Sequence, residues 1–69
     1  MQTNPLGTAL SALRTAADMT LQEVADVAGV SLSYLSRAEN GLVTPTAQWV
    51  QVVTIAIGER IASDARDAA

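Results

Sequence analysis

Cysteine, histidine and lysine are all missing from this sequence. Without cysteine there are no disulfides and no thiolate metal sites. Without histidine as well, the usual nucleophile and base of covalent hydrolases are gone. Carboxylates remain, but no pair of them stands in a cleft-forming context. The chain therefore reads as a non-enzyme with no metal and no cofactor. Met1 to Leu6 hold neither a basic run nor an apolar stretch, so no signal peptide or membrane span is read and a cytoplasmic location is expected. The lack of lysine leaves Arg14, Arg37, Arg60 and Arg66 against seven carboxylates, a net charge of −3. Duplex binding is driven largely by phosphate neutralisation, so this balance argues against nucleic acid.

What is present is helical punctuation. Sixty-nine residues make one domain, 1–69, of a size that buries about 60% of the surface of its unfolded chain. Asn4-Pro5 is a helix start, with Asn4 able to cap and Pro5 pre-set for the first turn. Leu6, Leu10, Leu13 and Ala17 come next on one face, and Asp18-Met19 breaks the run. Thr20-Leu21-Gln22-Glu23 has the form of a capping box, with Met19 and Val24 at the positions of a hydrophobic staple. Gly29 closes that helix at the place of a left-handed C-terminal residue. Ser31 caps a third helix running through Glu39, and Asn40-Gly41 ends it. After a loop of Leu42 to Pro45, Thr46 caps a fourth helix to about Ile57. Gly58 is expected to interrupt it, leaving Glu59 to Asp67 as a short fifth helix. No repeat, linker or strand-like alternation is found.

Residues 20–39 thus give two short helices joined by the tight turn Ala28-Gly29-Val30-Ser31. A helix-turn-helix requires these features. The first helix needs a small residue where the second crosses it, and Ala25 is there. The turn needs a residue at ease with positive φ, and Gly29 supplies it. Val30, Leu35 and Ala38 form the buried stripe of the second helix, which turns Leu32, Ser33, Ser36 and Arg37 outward.

The segment from Thr20 through Gly41, with Leu6-Gly7, Leu13-Arg14 and Thr44-Pro45-Thr46 around it, resembles the Cro/repressor (xenobiotic-response-element) helix-turn-helix family over roughly residues 5–57. Ala25, Gly29, Leu35, Glu39 and Gly41 stand at the family spacing. The resemblance implies an all-α, five-helix, lambda-repressor-like fold with the helix-turn-helix at helices 2 and 3. It implies that Leu32, Ser33, Ser36 and Arg37 face base edges in the major groove. Thr20 and the amides that open helix 2, Leu21 among them, would hold a phosphate, and Tyr34 and Asn40 would meet the DNA backbone. Arg14 and Glu39 would form an internal ion pair.

The sequence departs from the family pattern where relatives carry phosphate- and base-binding side chains. Leu21 and Leu32 replace polar residues, and Leu42-Val43-Thr44 replaces a basic loop. Readout then rests on Arg37, the serines and apolar contact, since arginine suits guanine and leucine suits the thymine methyl. Blander readings stand beside these. Arg37 and Tyr34 fit a solvated surface as well, Ser31 fits a cap, and Trp49 fits the core.

Helix 4 is apolar on more than one face, through Trp49, Val50, Val52, Val53, Ile55, Ala56 and Ile57. In so small a domain this implies a second burial surface. A homodimer through Trp49, Val52, Ile55 and Ile61 is the expected use of it, as paired half-sites require. The leading functional expectation is a sequence-specific regulator of phage or prophage type, a repressor that binds a palindromic operator in double-stranded DNA. The alternative is a helix-turn-helix module, antirepressor- or antitoxin-like, whose partner is a protein. The acidic balance favours the second and the outer face of helix 3 the first.

Overall fold

The computed structural model describes residues 5–68. Its helices are α1 (Pro5–Ala16), α2 (Leu21–Ala28), α3 (Leu32–Glu39) and α4 (Ala47–Ala68), and no strand occurs among the described residues. Asn4, the expected cap of α1, lies outside them.

Each boundary has a local cause. At the end of α1, Asp18 takes the left-handed conformation (φ 58°), and the Met19 amide donates back to the Arg14 carbonyl. The α2 capping box is complete: the Glu23 amide donates to Thr20 Oγ1 at 3.1 Å and the Thr20 amide to Glu23 Oε1 at 2.8 Å. Gly29 ends α2 at φ 70°, where a side chain would be strained although nothing lies near its Cβ position. Ser31 Oγ accepts from the Tyr34 amide to open α3, and Thr46 Oγ1 accepts from the Trp49 amide to open α4.

The core is one cluster. Leu10 of α1, Ala17 and Met19 of the α1–α2 turn, Val24 and Ala25 of α2, Leu35 of α3, and Val53 and Ile57 of α4 are all buried. Both α1 and α2 pack on both α3 and α4. Met19 and Val24, the staple pair, belong to this cluster, as does Ala25.

Gly7 sets how closely α1 approaches α3. A Cβ there would lie 2.6 Å from the carbonyl oxygens of both Ala38 and Glu39, so no larger residue fits without moving the backbone. The one feature of the sequence that pointed to Gly7 was its part in the family resemblance, because the contact joins residues far apart in the chain.

The fold has four helices, and the expected five is corrected. Gly58 does not interrupt α4, which runs through it for 22 residues, about 33 Å at 1.5 Å per residue. The expected helix at 59–67 is therefore the second half of α4. An interior glycine costs only about 1 kcal/mol relative to alanine, and Gly58 precedes the good helix formers Glu59, Arg60 and Ala62. Arg60 also reaches Glu23 of α2 (3.7 Å) and Asp64 (3.9 Å), which ties the extension to the domain. Beyond Ile57 the helix has no buried residue.

Candidate nucleic-acid interface

The eight residues of α3 divide by helical rotation. Leu35 and Ala38 face inward and are buried. Leu32, Ser36, Asn40, Ser33 and Arg37 fall within an arc of about 140° on the opposite side, at about 100° per residue. Leu32, Ser33 and Arg37 are exposed or partly so, with Leu32 at 40%, and Ser36 is half-buried. Asn40, just beyond the helix, is exposed, and its Nδ2 donates to the Ser36 carbonyl at 2.9 Å. The four residues expected to meet base edges thus share one solvent-facing surface.

Glu39, the one carboxylate in α3, is removed from that surface. Arg14 grips it with two hydrogen bonds, Nε to Oε2 at 2.8 Å and Nη2 to Oε1 at 3.0 Å, while Nη1 donates to the Met19 carbonyl at 3.0 Å. The side chains are 19% and 8% exposed. This clasp joins α1, the start of the α2 segment and the end of α3, and the hydrogen bond to Glu39 raises the Arg14 pKa above its ordinary value. With Glu39 neutralised, Arg37 is the one charge on the outer face of α3.

The acidity of the chain is gathered elsewhere. The α2 helix and the second half of α4 carry five carboxylates against two arginines, which is the whole net charge of −3. No charged residue other than Arg37 and Glu39 lies between Val27 and Gly58. A charge total that argues against nucleic acid therefore leaves the outer face of α3 free of negative charge.

The start of α2 is partly occupied. Both the amide and the hydroxyl of Thr20 are engaged in the capping box, whose hydrogen bonds hold the Glu23 carboxyl below its usual pKa. The amides of Leu21 and Gln22, at the first two helical positions, have no partner within the helix.

Tyr34 lies on the flank of α3 and meets Trp49 of α4 edge-on, with ring centroids 5.2 Å apart at 71°. Both rings are half-buried. Gly29, Val30, Ser31, Tyr34, Arg37 and Trp49 line a cleft of about 480 Å³ beside the outer face of α3. A second, of about 360 Å³, runs from Trp49 past Gly29 and Val30 to Val52. The pairing of Tyr34 with Trp49 was not anticipated, and no spacing in the sequence signals it.

Two short packed helices with Ala25 buried in the first, a left-handed glycine between them and an exposed second-helix face make up the arrangement. A family model for the helix-turn-helix domain matches residues 5–58. The chain belongs to the helix-turn-helix domain family. No curated protein matches it by sequence. The match covers α1 to α3 and the buried half of α4, leaving outside it the part of α4 that holds no buried residue.

In this helix-turn-helix domain the residues expected at a dimer contact are spread around α4. Val52 and Ile55 are exposed. Ile61 is also exposed but points about 120° away from Ile55 around the helix. Trp49 lies against Tyr34, on the flank of α3. Trp49, Val52 and Ile55 fall within an arc of about 120° and Ile61 lies outside it, so the four do not form one continuous face. Among the described residues no three His, Cys, Asp or Glu side chains are grouped to hold a metal, and no helix is long and apolar enough to cross a membrane.

Proposed function

We propose that this helix-turn-helix domain is a sequence-specific, cytoplasmic transcriptional regulator of the Cro/repressor type. It acts as a small phage- or prophage-type repressor on a palindromic operator. The observation that carries the reading is the outer face of α3. Leu32, Ser33, Ser36 and Arg37 project together from it, and its one neighbouring carboxylate is neutralised by Arg14. Arg37 reads a guanine, Leu32 a thymine methyl, and the serines adjacent edges. The Leu21 and Thr20 end of α2, Tyr34 and Asn40 face the sugar–phosphate backbone. Backbone amides and hydroxyls position the protein without formal charge, which is how an acidic domain holds a polyanion.

The operator's symmetry calls for a homodimer whose α3 helices lie about 34 Å apart. The exposed Val52 and Ile55 of α4 are the residues for that contact.

The test is binding to a genomic fragment library across a salt series, with wild type beside Arg37→Ala. Arg37→Ala should cost about 1–3 kcal/mol of binding and relax preference at one base pair. Each neutralised phosphate adds about 0.9 to the slope of log affinity against log salt, so the wild-type slope should be shallow. If no fragment binds at low salt, or Arg37→Ala binds as wild type does, the DNA reading fails. The second reading, a module that binds a protein, is favoured by a specific observation: Val27, Ile55 and Leu42 are 58%, 56% and 71% exposed on an acidic chain.

A further inference from the structure

We infer that Tyr34 and Trp49 form a seat for a backbone phosphate of bound DNA, with Tyr34 making the contact and Trp49 the positioning residue behind it. The inference rests on the DNA reading and adds to it a residue, Trp49, that the sequence pattern assigned to the core or to a dimer. Trp49 packs edge-on against Tyr34 at 5.2 Å, which fixes the direction of a ring that otherwise sits half-exposed on the flank of α3. Both rings line a cleft of about 480 Å³ with Ser31 and Arg37. No carboxylate lines it, and each of its four polar side chains, Ser31, Tyr34, Arg37 and Trp49, can donate a hydrogen bond.

A cleft with donors, an arginine and no carboxylate suits an anion. Its place beside the outer face of α3 puts it where a strand bordering the major groove would run. The ligand class is a phosphodiester. The seat also answers how this chain, with no lysine and with a leucine-bearing loop after α3, anchors a polyanion. Aromatic packing and the neutral donors of Ser31, Tyr34 and Trp49 add affinity beyond what Arg37 supplies, without a further cationic contact to steepen the salt dependence.

Trp49 is the one tryptophan in the chain, so it reports on its own site. The experiment titrates a labelled, mixed-sequence 20-base-pair duplex into the full chain at low salt, reading duplex anisotropy and Trp49 fluorescence together. We expect the fluorescence to change along the same binding curve as the anisotropy. Tyr34→Phe removes the phenolic donor and should weaken binding about tenfold, the size of a hydrogen bond to a charged group. Trp49→Ala should weaken it similarly, and Trp49→Phe, which keeps an aromatic edge, by less than about threefold. Trp49→Ala made in the Tyr34→Phe background should cost little more, because the tryptophan acts through the phenol. Thermal melts of each variant show that the domain is folded at the binding temperature, and sedimentation shows the same oligomeric state. Binding that leaves Trp49 fluorescence unmoved, or losses from the two variants that simply add, overturns the seat while leaving the DNA reading intact. Absence of binding to this duplex overturns the seat, and absence of binding to every genomic fragment at low salt as well overturns the DNA reading with it.

Discussion

Helices α3 and α4 begin alike, each with a hydroxyl accepting the amide three residues on, Ser31 from Tyr34 and Thr46 from Trp49. They then diverge. The eight residues of α3 are held on one side by Leu35 and Ala38 and at the end by the Arg14–Glu39 clasp, and they are free on the other side. The 22 residues of α4 are buried only at Val53, Ala56 and Ile57, and its stretch beyond Ile57 is held by little other than Arg60. The short helix exists because its surroundings fix it, since eight residues are too few to be helical alone in water. The long one extends past its surroundings on the strength of its own sequence. The exposed arc of α3 is therefore on an element that tertiary contacts hold in place, which keeps its outer side chains in fixed register.

The strongest way to break this contrast is to truncate one apolar residue in each helix. Leu35 is fully buried, and Leu35→Ala should lose about 2–5 kcal/mol, enough to unfold much of a domain this small. Ile55, more than half exposed, should lose less than about 0.5 kcal/mol as Ile55→Ala in the monomer. Chemical denaturation at low protein concentration measures both. A small loss at Leu35, or a large one at Ile55, would reverse the roles assigned to the two helices.

Next in size is the clasp. Arg14→Ala strands the mostly buried Glu39 carboxylate and should cost about 2–3 kcal/mol, toward the lower end for a buried pair because Arg14 keeps some solvent contact. Gly7→Ala attacks the same junction through the backbone, pressing a methyl against the carbonyls of Ala38 and Glu39, and should cost about 1–3 kcal/mol. Thermal melts read both. A wild-type melt for Gly7→Ala would mean that α1 and α3 are not in close contact.

How far these features were legible depends on their range along the chain. The Thr20–Glu23 box, the Ser31 and Thr46 caps and the Gly29 turn each involve residues within about four positions, and the sequence displayed them. The core face of α1 and the outer stripe of α3 came from helical period. Gly7 and the Tyr34–Trp49 pair depend on residues brought together by folding, and period carries no trace of them. Gly58 was misread for a different reason. A glycine after an apolar run fits either a left-handed helix end or an interior position, and the residues C-terminal to it decide. Here Glu59, Arg60 and the tie from Arg60 to Glu23 carry the helix on.

A smaller effect concerns acid. Hydrogen bonds from Thr20 depress the Glu23 pKa in the folded chain, and Arg60 adds to the effect. A depressed carboxylate contributes stability that is present above its unfolded pKa and is lost as pH falls through its folded one. Lowering the pH below the ordinary carboxylate range should therefore loosen both the α2 cap and the tie between α2 and α4, and Glu23→Gln should flatten that dependence. Melting temperature against pH for the two proteins is the measurement. Parallel curves would remove Glu23 from any role in holding α4.

The smallest expected effect bears most directly on the length of α4. Gly58 is interior to the helix, outside the left-handed region of backbone space, and a Cβ there meets nothing within 4 Å. Alanine at that position keeps every contact and reduces the freedom of the unfolded chain, so Gly58→Ala should stabilise by up to about 1 kcal/mol. The gain in melting temperature should be only part of that, because the second half of α4 holds no buried residue and can fray before the domain unfolds. Helical circular dichroism at low temperature should rise slightly for the same reason. A helix that ended at Ile57 with Gly58 in a left-handed cap would respond oppositely, since a methyl is strained there and stability would fall. The sign of the change thus separates one continuous α4 from two helices, even where its size is close to the error of the melt.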